Sequence, residues 1–300
     1  MTGAAAVARV EVDRDLYPFR SRFLRTTSGA TVHYVDEGEG DPTLLFLHGN
    51  PTWSFLYRDL IAGLRDRVRC VAIDYPGFGL SSAADGFDHR AESQHEVVRE
   101  VVDQLRLDRI VLVVQDWGGP IGLALAERRP ELVAGIVAGN TFAWPLAGDR
   151  RMATFSWIMG GPLGSAAVRS FNGVWRFFMW RGFRRRPPAP VMAMYAAPFR
   201  HGDRGPTAVF PRELLLATDL LVRAERGLER LADRPALLLW GEHDFGFRAA
   251  ERQRWEEALP RHRTVSLDAS HFWPEDQPQV AVTEIRRWLD ETPGLADGRD

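Results

Sequence analysis

The stretch VVQDWGG, Val113 to Gly119, runs an apolar strand into a glycine-rich turn and sets a carboxylate, Asp116, at the apex. A helix is predicted to follow at once, over Gly119 to Arg128. A strand that turns sharply into a helix lifts the side chain at the turn above the edge of the sheet. The identity of that side chain decides which carbon can be attacked. A serine in such a place suits acyl carbon, because the acyl ester it forms can be hydrolysed; attack on saturated carbon would end in an ether. A carboxylate does the reverse. Displacing a leaving group from sp3 carbon, it forms an ester whose carbonyl carbon belongs to the enzyme, so water attacks there and restores the Asp. Such chemistry calls for a histidine that activates water, an oxyanion hole and a receptor for the leaving group.

Outward from this turn, TLLFLHG, VRCVAID, RIVLVVQD, ELVAGIVAGN and RPALLLWGE are continuous apolar runs that end in polar residues or glycine. Runs of this kind suit strands buried on both faces of a parallel sheet. TVHYVDEGEGD, Thr31 to Asp41, alternates instead and predicts an early antiparallel strand. Helical stretches lie between them at Ser54 to Arg65, Glu92 to Leu105 and Gly119 to Arg128. Strands alternating with helices predict an α/β chain whose mostly parallel sheet is covered on both faces, with its chemistry at the carboxyl ends of the strands. A sharp strand-to-helix turn bearing the nucleophile specifies the α/β-hydrolase fold, where the apex is commonly the Ser of G-x-S-x-G. From Pro145 to Arg226 the strand signal stops and aromatics, Gly and Pro dominate. The expected organisation is a core of residues 1–144 and 227–300 with a helical cap, 145–226, inserted after the sixth strand. The final ETPGLADGRD reads as a frayed tail.

Composition narrows the partners. The chain has 300 residues, 45% of them hydrophobic and 26% charged, and a net charge of -2, so it carries no overall basic excess that would call for a nucleic-acid partner. All 38 basic side chains are Arg, which bears on coding bias rather than mechanism. Cys70 is the single cysteine and has no partner for a disulfide or thiolate metal site. MTGAAAVARVEVDRD lacks the apolar core of a signal peptide, and no stretch approaches a membrane span, so a cytoplasmic location without a membrane partner is expected.

HGNPTWS, His48 to Ser54, follows the strand TLLFLHG. Gly49 permits a tight turn, and the backbone N–H of Asn50 is placed to pair with that of Trp117 as an oxyanion hole. His271, in DASHFWPED, is the expected base, since hydrolase folds of this type present their His after the last strand. Of the other histidines, His48 is expected to brace the oxyanion loop, while His89, His95, His201 and His262 read as surface residues. Three carboxylates compete to orient His271. Asp244, directly after the penultimate strand, can reach its far nitrogen; Asp268 lies too close in sequence, and Glu242 belongs to the turn. Asp244 is the choice. For the leaving group, the side chains of Asn50 and Trp117 offer neutral N–H donors without useful acidity. A halide needs solvation but no proton, whereas an epoxide oxygen must be protonated, and only Tyr195 of the five tyrosines falls in the cap.

At this point the chain resembles the haloalkane dehalogenases of the α/β-hydrolase superfamily, through HGNPTWSFLYR, DYPGFGLS, QDWGGPIG, the cap segment YAAPF, WGEHDF and SHF. The resemblance implies Asp116 as nucleophile, His271 as base, Asp244 as acid, and Asn50 with Trp117 as halide pair. It implies a small apolar halogenated substrate, a halide product, and no metal or organic cofactor. Within the family the acid is sometimes a Glu after the sixth strand; here Asn140 stands in its place, which points to the subfamily with an Asp-His-Asp triad and an Asn-Trp pair. Ser270 stands where relatives usually carry Gly, which bears on the geometry of the His loop. Three alternatives share the scaffold: an epoxide hydrolase, a coelenterazine-type oxygenase, and a binding protein that has lost turnover. The cap aromatics Phe155, Trp157, Phe171, Trp175, Phe177, Phe178 and Trp180 are expected to form the cap's own core, with some lining a pocket; several exposed together would mark a homo-oligomer interface.

Overall fold

The computed structural model of the protein describes residues 10–146, 148–200 and 204–295. Eight strands form one sheet: β1 (Arg22–Arg25), β2 (Thr31–Glu37), β3 (Thr43–Leu47), β4 (Cys70–Ile73), β5 (Ile110–Asp116), β6 (Val133–Thr141), β7 (Ala236–Gly241) and β8 (His262–Leu267), in the spatial order β1-β2-β4-β3-β5-β6-β7-β8. β1 and β2 pair antiparallel with their neighbours, and every pairing from β4 to β8 is parallel. Every residue of β3, β4, β5 and β7 is buried. Their side chains alternate between two apolar layers: Leu45, Leu112 and Val114 pack on one face, Leu44, Phe46, Val111 and Val113 on the other. That is why these strands read as unbroken apolar runs rather than alternating ones.

The helices of the core are α1 (Arg58–Leu64), α2 (Ala91–Gln104) and α3 (Gly118–Arg128). Between β6 and β7 come six more: α4 (Arg150–Gly160), α5 (Pro162–Phe171), α6 (Gly173–Arg181), α7 (Ala189–Arg200), α8 (Gly205–Leu216) and α9 (Thr218–Arg230). α10 (Ala249–Ala258), the short α11 (Trp273–Asp276) and α12 (Pro278–Glu291) complete the chain. No helix among the described residues is long and apolar enough to cross a membrane. The boundary expected at 226/227 falls inside α9, which packs along α3 so closely that a Cβ on Gly227 would lie 2.0 Å from the Leu123 carbonyl oxygen.

Three expectations are corrected. His89 and His95 are buried rather than on the surface, and His95 Nδ1 lies 2.9 Å from the Ile121 carbonyl oxygen; His201 lies outside the described residues. The expected frayed tail begins later than ETPGLADGRD suggests, because Thr292 and Leu295 are buried against the core; the last five residues and the first nine lie outside the described set. Trp157, Phe171 and Trp180 are not cap core: they are 77%, 70% and 75% exposed.

The α3–α9 contact yields a stability test. Replacing a mid-helix glycine by alanine ordinarily gains about 1 kcal/mol of helix propensity, but overpacking a close backbone contact costs about 1–3 kcal/mol. Gly227→Ala is therefore expected to be destabilising on balance, by up to about 2 kcal/mol, read as a lower urea midpoint with an unchanged slope. A raised midpoint would show that the two helices separate without cost.

Candidate active site

The strand ends converge. Leu47 closes β3 and leads into His48, Gly49 and Asn50; Asp116 closes β5; Asn140 lies near the end of β6; Asp244 and His271 follow β7 and β8. Asp116 is held at φ +50°, in the left-handed region that a non-glycine residue enters only under constraint. The constraint is visible. Thr141 Oγ1 donates to the Asp116 carbonyl at 2.5 Å. Two glycines make the approach of the neighbouring chain feasible: a Cβ on Gly49 would lie 2.3 Å from Asp116 Cβ, and one on Gly118 would lie 2.0 Å from the Leu47 carbonyl oxygen.

Asn50 N–H donates to Asp116 Oδ2 at 2.8 Å, and the adjacent Trp117 N–H favours the charged carboxylate. Both amides expected to form the oxyanion hole thus face the Asp116 carboxylate. Burial raises the Asp116 carboxyl to about 6, and the amides and His271 only partly offset it. His271 Nδ1 lies 3.0 Å from Asp244 Oδ2, with both side chains buried. Burial opposes the imidazolium, but the charges of Asp244 and Asp116 outweigh it and raise His271 above its ordinary value. His48, as expected, braces the loop: its Nδ1 is 2.8 Å from the Gly49 oxygen and its Nε2 accepts from Tyr75 N–H at 3.2 Å. Of the rejected acids, Asp268 is exposed and pairs with Arg184 and His243, and Glu242 bonds Arg252 and Ser266.

Trp117 is wedged edge-to-face between Phe142 and Phe210, at centroid distances of 5.1 and 5.0 Å. Neither its indole N–H nor the Asn50 side-chain amide donates to a protein acceptor among the described residues, and both residues line a cavity of about 130 Å3. Asp116 and His271 open into the same cavity, whose other walls are largely apolar, including Phe155, Phe178, Leu214, Phe245 and Phe247. No tyrosine lines it, and Tyr195 is fully buried elsewhere, donating to Glu275 at 2.7 Å.

Two neighbours had no role assigned from the sequence. Asn140 Nδ2 donates to Asp244 Oδ2 at 3.1 Å while its Oδ1 accepts from Gly241 N–H at 2.7 Å, so it holds Asp244, which in turn holds His271. Gln115 Nε2 lies 3.1 Å from the His271 carbonyl oxygen and 3.0 Å from His271 Nε2. The carbonyl accepts only, so the Gln115 NH2 must face it, and the same group then donates to the Nε2 lone pair. That arrangement fits the tautomer with its proton on Nδ1 toward Asp244. The signal in the sequence was adjacency alone: Gln115 precedes the nucleophile, and in a strand its side chain takes the opposite face. Ser270 Oγ lies 3.3 Å from the carbonyl oxygens of both Arg181 and His243, tying the base loop to the end of α6 and to the acid turn.

A buried carboxylate at a strand-to-helix elbow, lining one cavity with the histidine of a His-Asp pair, places the chain in the hydrolase-fold class. Residues 42–278 match the family model described as the alpha/beta hydrolase fold. The chain is 44% identical over 286 residues to haloalkane dehalogenase 2 of Mycobacterium tuberculosis, covering 92% of this chain and 97% of that protein. It is 33% identical to a cis-3-alkyl-4-alkyloxetan-2-one decarboxylase of Shewanella oneidensis, over 94% of this chain and 92% of the other. Among solved structures, haloalkane dehalogenase DbeA from Bradyrhizobium elkani superposes with a TM-score of 0.80 at 27% identity, covering 90% of this chain and 97% of that one. The chain belongs to the haloalkane dehalogenase family of the α/β-hydrolase fold.

Two pH outcomes follow. Attack requires ionised Asp116 and hydrolysis requires neutral His271, which is also raised, so the rate is expected to begin falling in the neutral range and to drop further as pH passes through about 6; an acid limb absent down to pH of about 4 would contradict both raised groups. In Gln115→Glu the donor to His271 Nε2 becomes an acceptor that stabilises the imidazolium. Its acid limb is expected to move up by about one pH unit or more, with KM changed less than kcat, whereas a merely structural lesion would lower the rate equally at every pH.

Proposed function

We propose that this protein hydrolyses carbon–halogen bonds of small apolar haloalkanes, yielding an alcohol, a halide ion and a proton. Asp116 Oδ1, the carboxylate oxygen free of the Asn50 bond, attacks the halogen-bearing carbon in line; the C–O bond forms as the carbon–halogen bond breaks. The Asn50 amide and the Trp117 indole solvate the departing halide as neutral donors, which matches an ion that takes no proton. His271, oriented by Asp244, removes a proton from water, and the resulting hydroxide attacks Cγ of the Asp116 ester. The negative charge then develops on Oδ2, which the Asn50 N–H already holds at 2.8 Å, with the Trp117 N–H as the second donor of the hole. Collapse expels the alcohol and restores the carboxylate. The helices α4 to α8 serve as the cap, and every step runs through this chain's own side chains, backbone and water.

The observation that carries this reading is the pair of unpartnered N–H donors, on Asn50 and Trp117, beside the buried Asp116 carboxylate in one cavity without a phenol. The missing phenol weighs against an epoxide substrate. The same attack on a ring carbon whose leaving group is a carboxylate would open an oxetanone, the substrate class in the name of the Shewanella relative. A cavity of about 130 Å3 is on the scale of one that holds benzene, and it favours a compact haloalkane over a ring bearing two alkyl arms.

Purified protein given 1-bromobutane or 1,2-dibromoethane is expected to release bromide, and Asp116→Ala is expected to release none. In His271→Gln, attack proceeds and hydrolysis stalls, so intact-mass analysis should find the alkyl group on the protein, and peptide mapping should place it on Asp116. Asp244→Asn is expected to lower kcat by about 10^3-fold or more by freeing the wrong tautomer. Bromide release that persists in Asp116→Ala would sink the mechanism; turnover of a cis-dialkyl-oxetanone but of no bromoalkane would transfer the function to lactone opening.

A further inference from the structure

The outward side of the cap is built unlike a solvated surface. In α5 the exposed positions Leu163, Ala166, Ala167, Ser170 and Phe171 recur at the spacing of one helix face, so the helix turns its apolar stripe outward. Leu163 is 88% and Phe171 70% exposed. α4 packs against α5 and adds exposed Trp157 and Ile158 at its end, and α6 adds exposed Trp180. Charge is as lopsided as polarity. Residues 145–217 contain eleven arginines against Asp149, Asp203 and Glu213, a net charge of +8 in a chain whose total is -2. Glu213 is buried, while Arg150, Arg169, Arg176, Arg185, Arg186 and Arg212 are exposed and pair with no carboxylate among the described residues.

We propose that this face of the cap docks on an anionic lipid bilayer. Exposed Trp, Phe and Leu beside arginines are the composition of an interfacial element, in which apolar side chains enter the headgroup boundary and cations meet lipid phosphates. The rest of the chain, with a net charge of -10 by difference, is repelled by the same surface, so the field orients the cap toward it. A second copy of the chain is a poorer occupant: a two-fold contact through this face would set one strongly cationic cap against another. The sequence shows no membrane span and leads to the expectation of no membrane partner; the contact proposed departs from that expectation and is peripheral, through side chains of three helices. Docking would also bring the cavity toward the phase where apolar haloalkanes concentrate, since α4 offers Met152 and Phe155 to the cavity and Trp157 to the outside; only this last consequence rests on the dehalogenase reading.

The test is flotation of the full chain with phosphatidylcholine vesicles, and with vesicles containing about one-third phosphatidylglycerol, at about 0.05 and 0.5 M salt. The wild type is expected to float with the anionic vesicles, to release at high salt, and to show a blue-shifted tryptophan emission when bound. Leu163→Asp/Phe171→Asp and Arg169→Gln/Arg176→Gln are each expected to weaken binding about tenfold or more, while bromide release from water-dissolved 1,2-dibromoethane stays at the wild-type rate. That last readout also separates a failure of docking from a failure of catalysis and reports folding of the variants. No flotation with anionic vesicles, or equal flotation of the variants, overturns the proposal. A dimer in size-exclusion chromatography that Leu163→Asp/Phe171→Asp dissolves, without vesicle binding, assigns the face to a second copy; retention on polyglutamate without vesicle binding assigns it to an acidic protein.

Discussion

Much of the structure around the site serves to hold one buried charge. Asp116 sits in an apolar cavity where a carboxylate is expensive, in a backbone conformation that costs about 1–3 kcal/mol to maintain. Two backbone amides, a nearby imidazole and the fixed turn around them make the charge tolerable without making it comfortable, and its carboxyl stays raised to about 6. The nucleophilic role proposed for Asp116 needs that balance. A carboxylate fully satisfied by strong donors would be stable and unreactive, and one left bare would take a proton.

The cost is distributed over neighbours that never touch a substrate. Gly49 and Gly118 let backbone approach where a side chain would collide, Thr141 pins the strained turn, and Asn140 holds the acid. The loop carrying His271 is fastened on several sides. Phe272 N–H donates to the Gly182 oxygen, Asp276 accepts from the N–H groups of Ser270 and Arg184, and Glu275 is gripped by Arg58 at 2.6 and 2.8 Å while accepting from Tyr195. Because Gly182, Arg184 and Tyr195 belong to the segment between β6 and β7, that segment is tied to the His271 loop by hydrogen bonds. The Ser270 hydroxyl extends that fastening to the turn carrying Asp244.

The same inserted segment carries two chemistries on opposite sides. Its inner residues dry the site, with Phe178 packed 5.2 Å from the His271 ring, and its outer residues leave large apolar groups in solvent beside unpaired arginines. A helix that faces outward with its apolar stripe adds little to the core, and the docking proposed would cover that stripe.

What the sequence by itself determined is what local chemistry dictates. Unbroken apolar runs marked strands buried on both faces, and an aspartate between a strand and a pair of glycines marked an elbow with a carboxylate nucleophile. HGNP and the late His and Asp completed a chain order shared by one family, and they lie together in the structure because parallel strands bring their carboxyl ends to one edge. Tertiary structure alone decided which side chains meet across that edge. Gln115 reaches His271 over 156 positions and Asn140 reaches Asp244 over 104, separations at which no periodicity or spacing carries information. It also decided which aromatics of the cap face inward. Phe155 and Trp157 lie two residues apart in one helix, yet one lines the cavity and the other stands in solvent, because exposure depends on what packs against each face and not on hydrophobicity.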